Sequence, residues 1–341
     1  MIGHMEHYYD PDDFNRVIYH SRSTDADKRI GVLLKDADLL LEKCGNDFEE
    51  ITEYQLFVRC LSEQTIVEDG KRRLRTKEDG GMNSSILQNP SDPDATYRKK
   101  AGKEHRGYAA NVEESVGKNG SVVTDYQLDS NNKSDSEFFQ EHVEKIGPQE
   151  EKTIISADGA YSGEENTELA AKNNIDLVTT DLTGRDVDPV MGAFELNEDG
   201  TRVLHCPAGN APRSNWYNKA TGIINISFER DKCANCPFAM HCKPKIFKKV
   251  SKLTVSRKMV NRALTQARMN TEQFKLLARI RNGVETVPSA LKNIYNVNHM
   301  PVRGKIPCKH FFGSKIAALN FRKLLRFRQG TGHYGQNPLL A

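Results

Sequence analysis

Apolar residues recur at helical spacing through the first part of the chain, in Ile30-Val32-Leu33-Leu34-Ala37-Leu39-Leu40-Leu41 and again in Tyr54-Leu56-Phe57-Leu61. Side chains three and four apart share one face of a helix, so residues 1–78 read as a mostly helical segment. Met1 to Tyr9 offers neither a helix cap nor a strand pattern. The stretch GGMNSSILQNPSD over residues 80–92 is rich in Gly, Ser, Asn and Pro and marks a loop linker, placed at 79–105. The pattern then changes. Residues 107–114 and 121–128 read as strands around the turn Gly117-Lys118-Asn119-Gly120, because Asn-Gly supplies the positive φ angles of a tight hairpin.

A helix is predicted from Ser134 to Lys145, and Thr153-Ile154-Ile155-Ser156-Ala157 is a short apolar run ending in Asp158, as a buried central strand would be. Ser162 and Glu165 have capping-box spacing for a helix through Ala171, and Ile175 to Thr180 is the next strand. This strand, helix, strand order predicts an α/β sheet with flanking helices, first laid down over residues 106–181. Residues 182–250 interrupt it with short polar strand candidates, no long helix and four clustered cysteines, and read as an insertion. The segment 251–341 returns to helix, first to about Arg281 and then from Ser314 to Phe327.

At 341 residues the chain is long enough for two or three structural units with a sizeable core. No apolar run long enough to span a bilayer and no signal-peptide pattern is present, so the expected location is cytoplasmic. The net charge of +3 hides a strong asymmetry. From Lys243 onward there are 21 Lys or Arg against two acids, Glu272 and Glu285, whereas the first 242 residues carry 28 basic and 44 acidic side chains. A basic C-terminal part of this kind points to a polyanion, most simply nucleic acid. Docking of the basic tail on the acidic front half is the alternative.

Seven cysteines in a chain without an export signal argue for metal rather than disulfides. Cys206, Cys233, Cys236 and Cys242 have the spacing C-x26-C-x2-C-x5-C, in which Cys233-Ala234-Asn235-Cys236 is a common zinc half-site. The expectation is a structural Zn²⁺ in a four-thiolate shell, with His205 and His241 as adjacent alternates. Its job would be to fold a small insertion with too little core of its own. Buried free cysteines are the competing reading.

Asp158, at the carboxyl end of a central strand, would project into the crevice where open α/β sheets bind ligands, although Asp158-Gly159 also suits a plain turn. Glu285 lies in Arg281-Asn282-Gly283-Val284-Glu285 within the basic segment. On a continuous helix Arg281, Glu285 and Lys292 would fall within roughly 40° of one another. A surface ion pair explains that spacing equally well, and Pro288 predicts a kink or restart.

Asp158-Gly159-Ala160-Tyr161, the later Arg281-x3-Glu285-x6-Lys292 and the closing Met300-Pro301-Val302-Arg303-Gly304-Lys305 together resemble the signature of DDE transposases of bacterial insertion sequences, Tyr-x2-Arg-x3-Glu-x6-Lys. The tyrosine position is Ala278 in this chain. The likeness runs from about Tyr8 to Phe327. It implies a ribonuclease-H-like mixed sheet with flanking helices, interrupted by the cysteine-rich insertion and preceded by the helical segment. Asp158 and Glu285 would then be the second and third catalytic carboxylates. In that family three carboxylates hold two Mg²⁺ ions for in-line displacement at phosphorus, which cuts and joins DNA. Arg281 and Lys292 would contact phosphate near the scissile bond.

The first carboxylate of similar proteins lies on the opening strand of the sheet, upstream of the helical stretch that begins this chain. The resemblance therefore implies an N-terminally truncated copy lacking the first catalytic Asp, with Asp94 and its neighbour Asp92 as the substitutes at hand. Further DNA contacts are expected from Arg303 and Lys305, and from Lys315, Arg322 and Arg326 on the last helix. The partners implied are the element's ends and target DNA, with a homodimer assembled on them. Two other functions compete: a non-catalytic zinc-knuckle DNA-binding protein, and a metal-dependent nuclease of similar fold.

Overall fold

Two of the helices predicted near the start form where the apolar stripe is strongest: α1 (Ala26–Cys44) and α2 (Thr52–Gln64). The computed structural model describes residues 5, 8, 10–12, 25–45, 47–118, 120–179 and 186–330. Most of Met1 to Tyr9, the turn residue Asn119, Thr180 and the tail beyond Gly330 lie outside the described residues. The chain falls into two compact units. The first comprises Met1–Ala110, Gln127–Lys133 and His299–Ser314, and the second Asn111–Tyr126, Ser134–Asn298 and Lys315–Ala341.

Within the first unit, residues 65–74 correct the helical reading of 1–78. Strands β1 (Thr65–Glu68) and β2 (Lys71–Leu74) pair antiparallel around Asp69-Gly70. Both turn residues have positive φ, 49° and 72°, which matches the twist of a two-residue hairpin. The signal was present as an Asp-Gly dipeptide, masked by the helical pattern before it. The linker also holds more structure than its composition suggests. Ile86 and Leu87 are buried, and strand β3 (Thr96–Lys100) pairs with the start of β4 (Lys103–Gly117) before the expected strand onset at Arg106.

The last helix, α10 (Lys305–Arg328), begins nine residues before the predicted Ser314. Its opening N–H groups have no intrahelical acceptor and must find one elsewhere. Asp92 accepts the Gly304 N–H at 3.1 Å, and Asp94 accepts the Lys305 N–H at 3.2 Å. Negative charge at this end also suits the helix dipole. Asp129, near the end of β5 (Gly120–Ser130), takes the Lys305 ammonium at 2.5 Å.

Burial raises the Asp129 carboxyl, but hydrogen bonds from Lys305, the Ser130 N–H and Lys133 outweigh it and hold the group at about 2, below its ordinary 3.8. A carboxylate depressed in the folded state stabilises it above the unfolded value and loses that contribution as pH falls through the folded one. Acid titration of stability is therefore expected to show a loss between pH 3.8 and about 2 that Asp129→Asn removes. Equal acid sensitivity of the variant and the parent, followed by thermal melting, would count against this assignment.

The second unit contains the predicted strand, helix, strand pattern. Helix α3 (Asp135–Ile146) starts in a complete capping box between Ser134 and Glu137. Strand β6 (Thr153–Ser156) lies parallel to β7 (Ile175–Val178), joined through α4 (Glu164–Lys172). Phe139, Val143, Ala170 and Ile175 form the buried core between these elements. The Ser162 capping box does not form: a 3₁₀ turn at Gly159–Tyr161 intervenes and Gly163 occupies the N-cap without a side-chain bond. Among the described residues β6 and β7 make a two-stranded sheet, separate from the three-stranded order β3, β4, β5. The expected single mixed sheet is thus present as several small sheets in a mixed α/β fold.

The insertion has a core of its own, contrary to expectation. After the small pair β8 (Glu195–Leu196) and β9 (Val203–His205), strands β10 (Ser214–Asn218), β11 (Ile223–Glu229), β12 (Lys245–Ile246) and β13 (Val250–Val255) form a sheet in the order 10, 11, 13, 12. Between β11 and β12 lie the short helices α5 (Arg230–Ala234) and α6 (Ala239–Cys242), and α7 (Arg257–Met269) follows the sheet. Met191, Phe194, Val203, Ile224, Ile226, Phe228, Val255, Val260 and Ala263 pack into one cluster. The boundary expected at residue 250 cuts through this body, because β13 and α7 both contribute to its core.

Candidate functional site

Asp158 follows β6 by two residues and sits at the start of the 3₁₀ turn, where its Oδ1 accepts the Gly159 N–H at 2.6 Å. Local chemistry accounts for the placement: an aspartate before a tight turn satisfies a backbone donor that the ended strand leaves free. The same oxygen takes Nη1 of Arg281 at 3.2 Å. Arg281 lies on α8 (Glu272–Val284), which packs on β6. Two residues 123 apart in sequence are therefore joined in one ion pair, the Asp158 side chain 68% exposed and that of Arg281 25%.

The Arg281 guanidinium is incompletely used. Nη2 donates weakly to Asn282 Oδ1 at 3.4 Å, and Nε is buried with no acceptor. A buried donor left without an acceptor on a charged group is costly. Nearby, Tyr161 donates to Asn111 Oδ1 at 2.8 Å, and burial, reinforced by Asp135 and Asp158, pushes its phenol up to about 12.

Glu285 is the junction residue between α8 and α9 (Thr286–Asn293), with φ −59° and ψ −18°. The helix breaks here, so Arg281, Glu285 and Lys292 do not lie on the continuous helix assumed from sequence. Pro288 falls in the first turn of α9, where its missing N–H has no intrahelical acceptor to lose. The restart thus comes three residues before the proline. Glu285 and Lys292 are both exposed.

The other predicted residues divide between the units. Asp94 belongs to the first unit, where it caps α10. Arg303 there donates to the Met300 and Val302 carbonyls, and the Lys305 ammonium is held by Asp129. Lys315, Arg322 and Arg326 lie on the part of α10 that belongs to the second unit, Arg322 and Arg326 exposed. Sequence reasoning missed Arg268, which clamps Asp176 of β7 with two bonds of 2.9 and 2.7 Å, and Arg257, which meets Glu164 and Glu168 at 2.5 Å each. Each joins residues about 90 apart in the chain, and no local pattern marks them.

Cys206, Cys233, Cys236 and Cys242 line one small cavity beneath Phe194 and Phe228. Cys233-Cys236 forms a turn, with the Cys236 N–H on the Cys233 carbonyl at 3.3 Å. Burial, and then the neighbouring Cys236, Cys206 and Cys233, push the Cys242 thiol up to about 11. His205 and His241 are paired instead with Glu195 at 2.7 Å and Asp188 at 2.8 Å. Among the described residues no three His, Cys, Asp or Glu side chains are grouped as a metal would require.

Residues 205–325 match the family model described as "Transposase DDE domain", and the match supports a DDE transposase. It begins at the last residue of β9 and contains Arg281, Glu285 and Lys292, while Asp158 precedes it. No curated protein and no solved structure matches the chain. No helix among the described residues is long and apolar enough to cross a membrane.

Proposed function

We propose that the chain acts on DNA as a transposase, with Asp158 and Glu285 as catalytic carboxylates and Arg281 as the cation between substrate phosphate and the acid. The observation that carries this reading is the ion pair of Asp158 with Arg281, a strand-end acid meeting the arginine of the Arg-x3-Glu-x6-Lys spacing. Hard carboxylate oxygens fit Mg²⁺, which when bound would activate the attacking and leaving oxygens of phosphoryl transfer. Among the described residues no three such acids are grouped. Asp158 presents an exposed carboxylate, the Arg281 guanidinium beside it supplies a cation for phosphate, and Lys292 adds positive charge. The β6, α4, β7 unit and the β3, β4, β5 sheet would be parts of a ribonuclease-H-like core.

The test is joining as well as cutting. Purified protein with Mg²⁺ and DNA carrying the element's ends is expected to nick at those ends and join them to a second DNA. Cutting without joining would favour a nuclease, and binding without either a non-catalytic DNA-binding protein. A homodimer on the DNA ends is part of the same proposal.

A second reading concerns the four cysteines. We infer that they hold a structural Zn²⁺, supported by their sharing one cavity and by the match of soft thiolate donors to zinc. The sulfurs would have to draw together for a tetrahedral set. Because the insertion has its own core, the ion would lock the loops over β11 and β13 rather than create the fold. Protein purified without chelator should carry about one zinc per chain, lowered by Cys236→Ser. Metal-free protein with the same melting temperature would end the idea.

A further inference from the structure

Outside the Asp158 site, the second unit carries a large apolar groove between the tip of the β4–β5 hairpin and the last part of α10. It encloses about 880 Å³ and is lined by Val116, Lys118, Val122, Phe321, Leu324 and Phe327, among others. Phe321 is 71% exposed and Phe327 52%. Aromatic rings left this open lose the stabilisation that burial would give, and a patch of this kind marks a binding surface.

The surrounding charge restricts the occupant. Helix α10 carries seven Lys or Arg and no acid. Glu114 is neutralised by Lys323, which Ser121 also contacts. On the other side of α10 a crevice of about 190 Å³ shares Ser121 and Lys323 with the groove and is lined by Arg322, Arg326 and Thr286. Thr286 is the residue after Glu285. A second copy meeting this face with its own would oppose two basic helices, which like-charge repulsion disfavours. A polyanion with apolar faces satisfies both properties. Duplex DNA hides its base faces in the stack, whereas an unpaired strand exposes them to aromatic side chains while its phosphates meet the cations.

We propose that this groove binds an unpaired DNA strand, with bases stacked on Phe321 and Phe327 and the backbone crossing α10 over Arg322 and Arg326 towards the helix that follows Glu285. The proposal rests on the DNA-acting reading above and names the form of DNA held beside that site.

The experiment compares binding of labelled oligothymidylate and of a duplex of equal length by fluorescence anisotropy. Phe321→Ala with Phe327→Ala should weaken oligothymidylate binding about tenfold or more and leave duplex binding within about twofold. Phe321→Trp, which keeps a π face, should retain oligothymidylate binding. Arg322→Gln with Arg326→Gln should weaken both and lower the salt slope by about two phosphates. Both rings are exposed, so melting temperatures should be unchanged. Unaltered oligothymidylate binding in the double Phe variant overturns the proposal, while the DNA-acting reading then stands or falls on cleavage alone. Equal loss for duplex and single strand also overturns it. So does a shift from dimer to monomer in sedimentation with oligothymidylate binding intact, which would make the groove an interface between copies.

Discussion

Asp158→Asn is expected to abolish Mg²⁺-dependent cleavage of DNA carrying the element's ends, to the rate seen without protein. The side chain is 68% exposed and pairs with Arg281 at 3.2 Å. An exposed ion pair contributes about 0–1 kcal/mol, which in a domain of 150–250 residues moves the melting temperature by about 2–4 °C at most. Asparagine also keeps an oxygen to accept the Gly159 N–H, so the turn after β6 is preserved. What it removes is the negative charge that a hard divalent cation needs. The expected pattern is total loss of cleavage beside near-parental melting and DNA affinity. Cleavage at the parental rate in Asp158→Asn would remove the carboxylate from the mechanism. Loss of cleavage with loss of folding would make the role structural.

Glu285→Gln should behave in the same way, because the residue is exposed at a helix junction. Arg281 differs from both. Its guanidinium reaches Asp158 through Nη1 while a buried Nε–H waits without an acceptor, an arrangement that the compact ammonium of lysine does not reproduce.

The local parts of this fold were legible because their causes are local. Ser134 and Glu137 close a capping box within four residues, and Thr153 to Ser156 forms a strand where the apolar run stands. The hairpin at Thr65–Leu74 was hidden for a physical reason: a preceding helix with a strong apolar stripe carries the eye past a two-residue turn. The site was half legible. Spacing singled out Arg281, Glu285 and Lys292, and Pro288 signalled a restart, but not that the junction falls at Glu285. Nor does any local pattern report that Arg281 closes on Asp158, or that Cys206, Cys233 and Cys242 pack against a finished core. Those depend on contacts between distant segments.

The Asp92-Pro93-Asp94 segment separates structure from chemistry most sharply, because its two acids differ in burial and duty. Asp92 is 7% exposed and accepts both the Tyr108 hydroxyl at 2.5 Å and the Gly304 N–H at 3.1 Å. Removing it strands two donors, and each unsatisfied one costs about 1–3 kcal/mol, so Asp92→Ala should destabilise the first unit by roughly 2–6 kcal/mol. Asp92→Asn keeps an acceptor and should cost less. Asp94 is exposed and makes one capping bond to the Lys305 N–H, so Asp94→Ala should cost about 0.5–2 kcal/mol. Denaturant titration of the three variants measures the order, and equal effects of Asp92→Ala and Asp94→Ala would refute it. The same proteins carry a second readout. If Asp94 serves only as a helix cap, Asp94→Ala cleaves DNA as the parent does once folded. If cleavage disappears while stability falls only slightly, Asp94 serves the chemistry as well as the helix end.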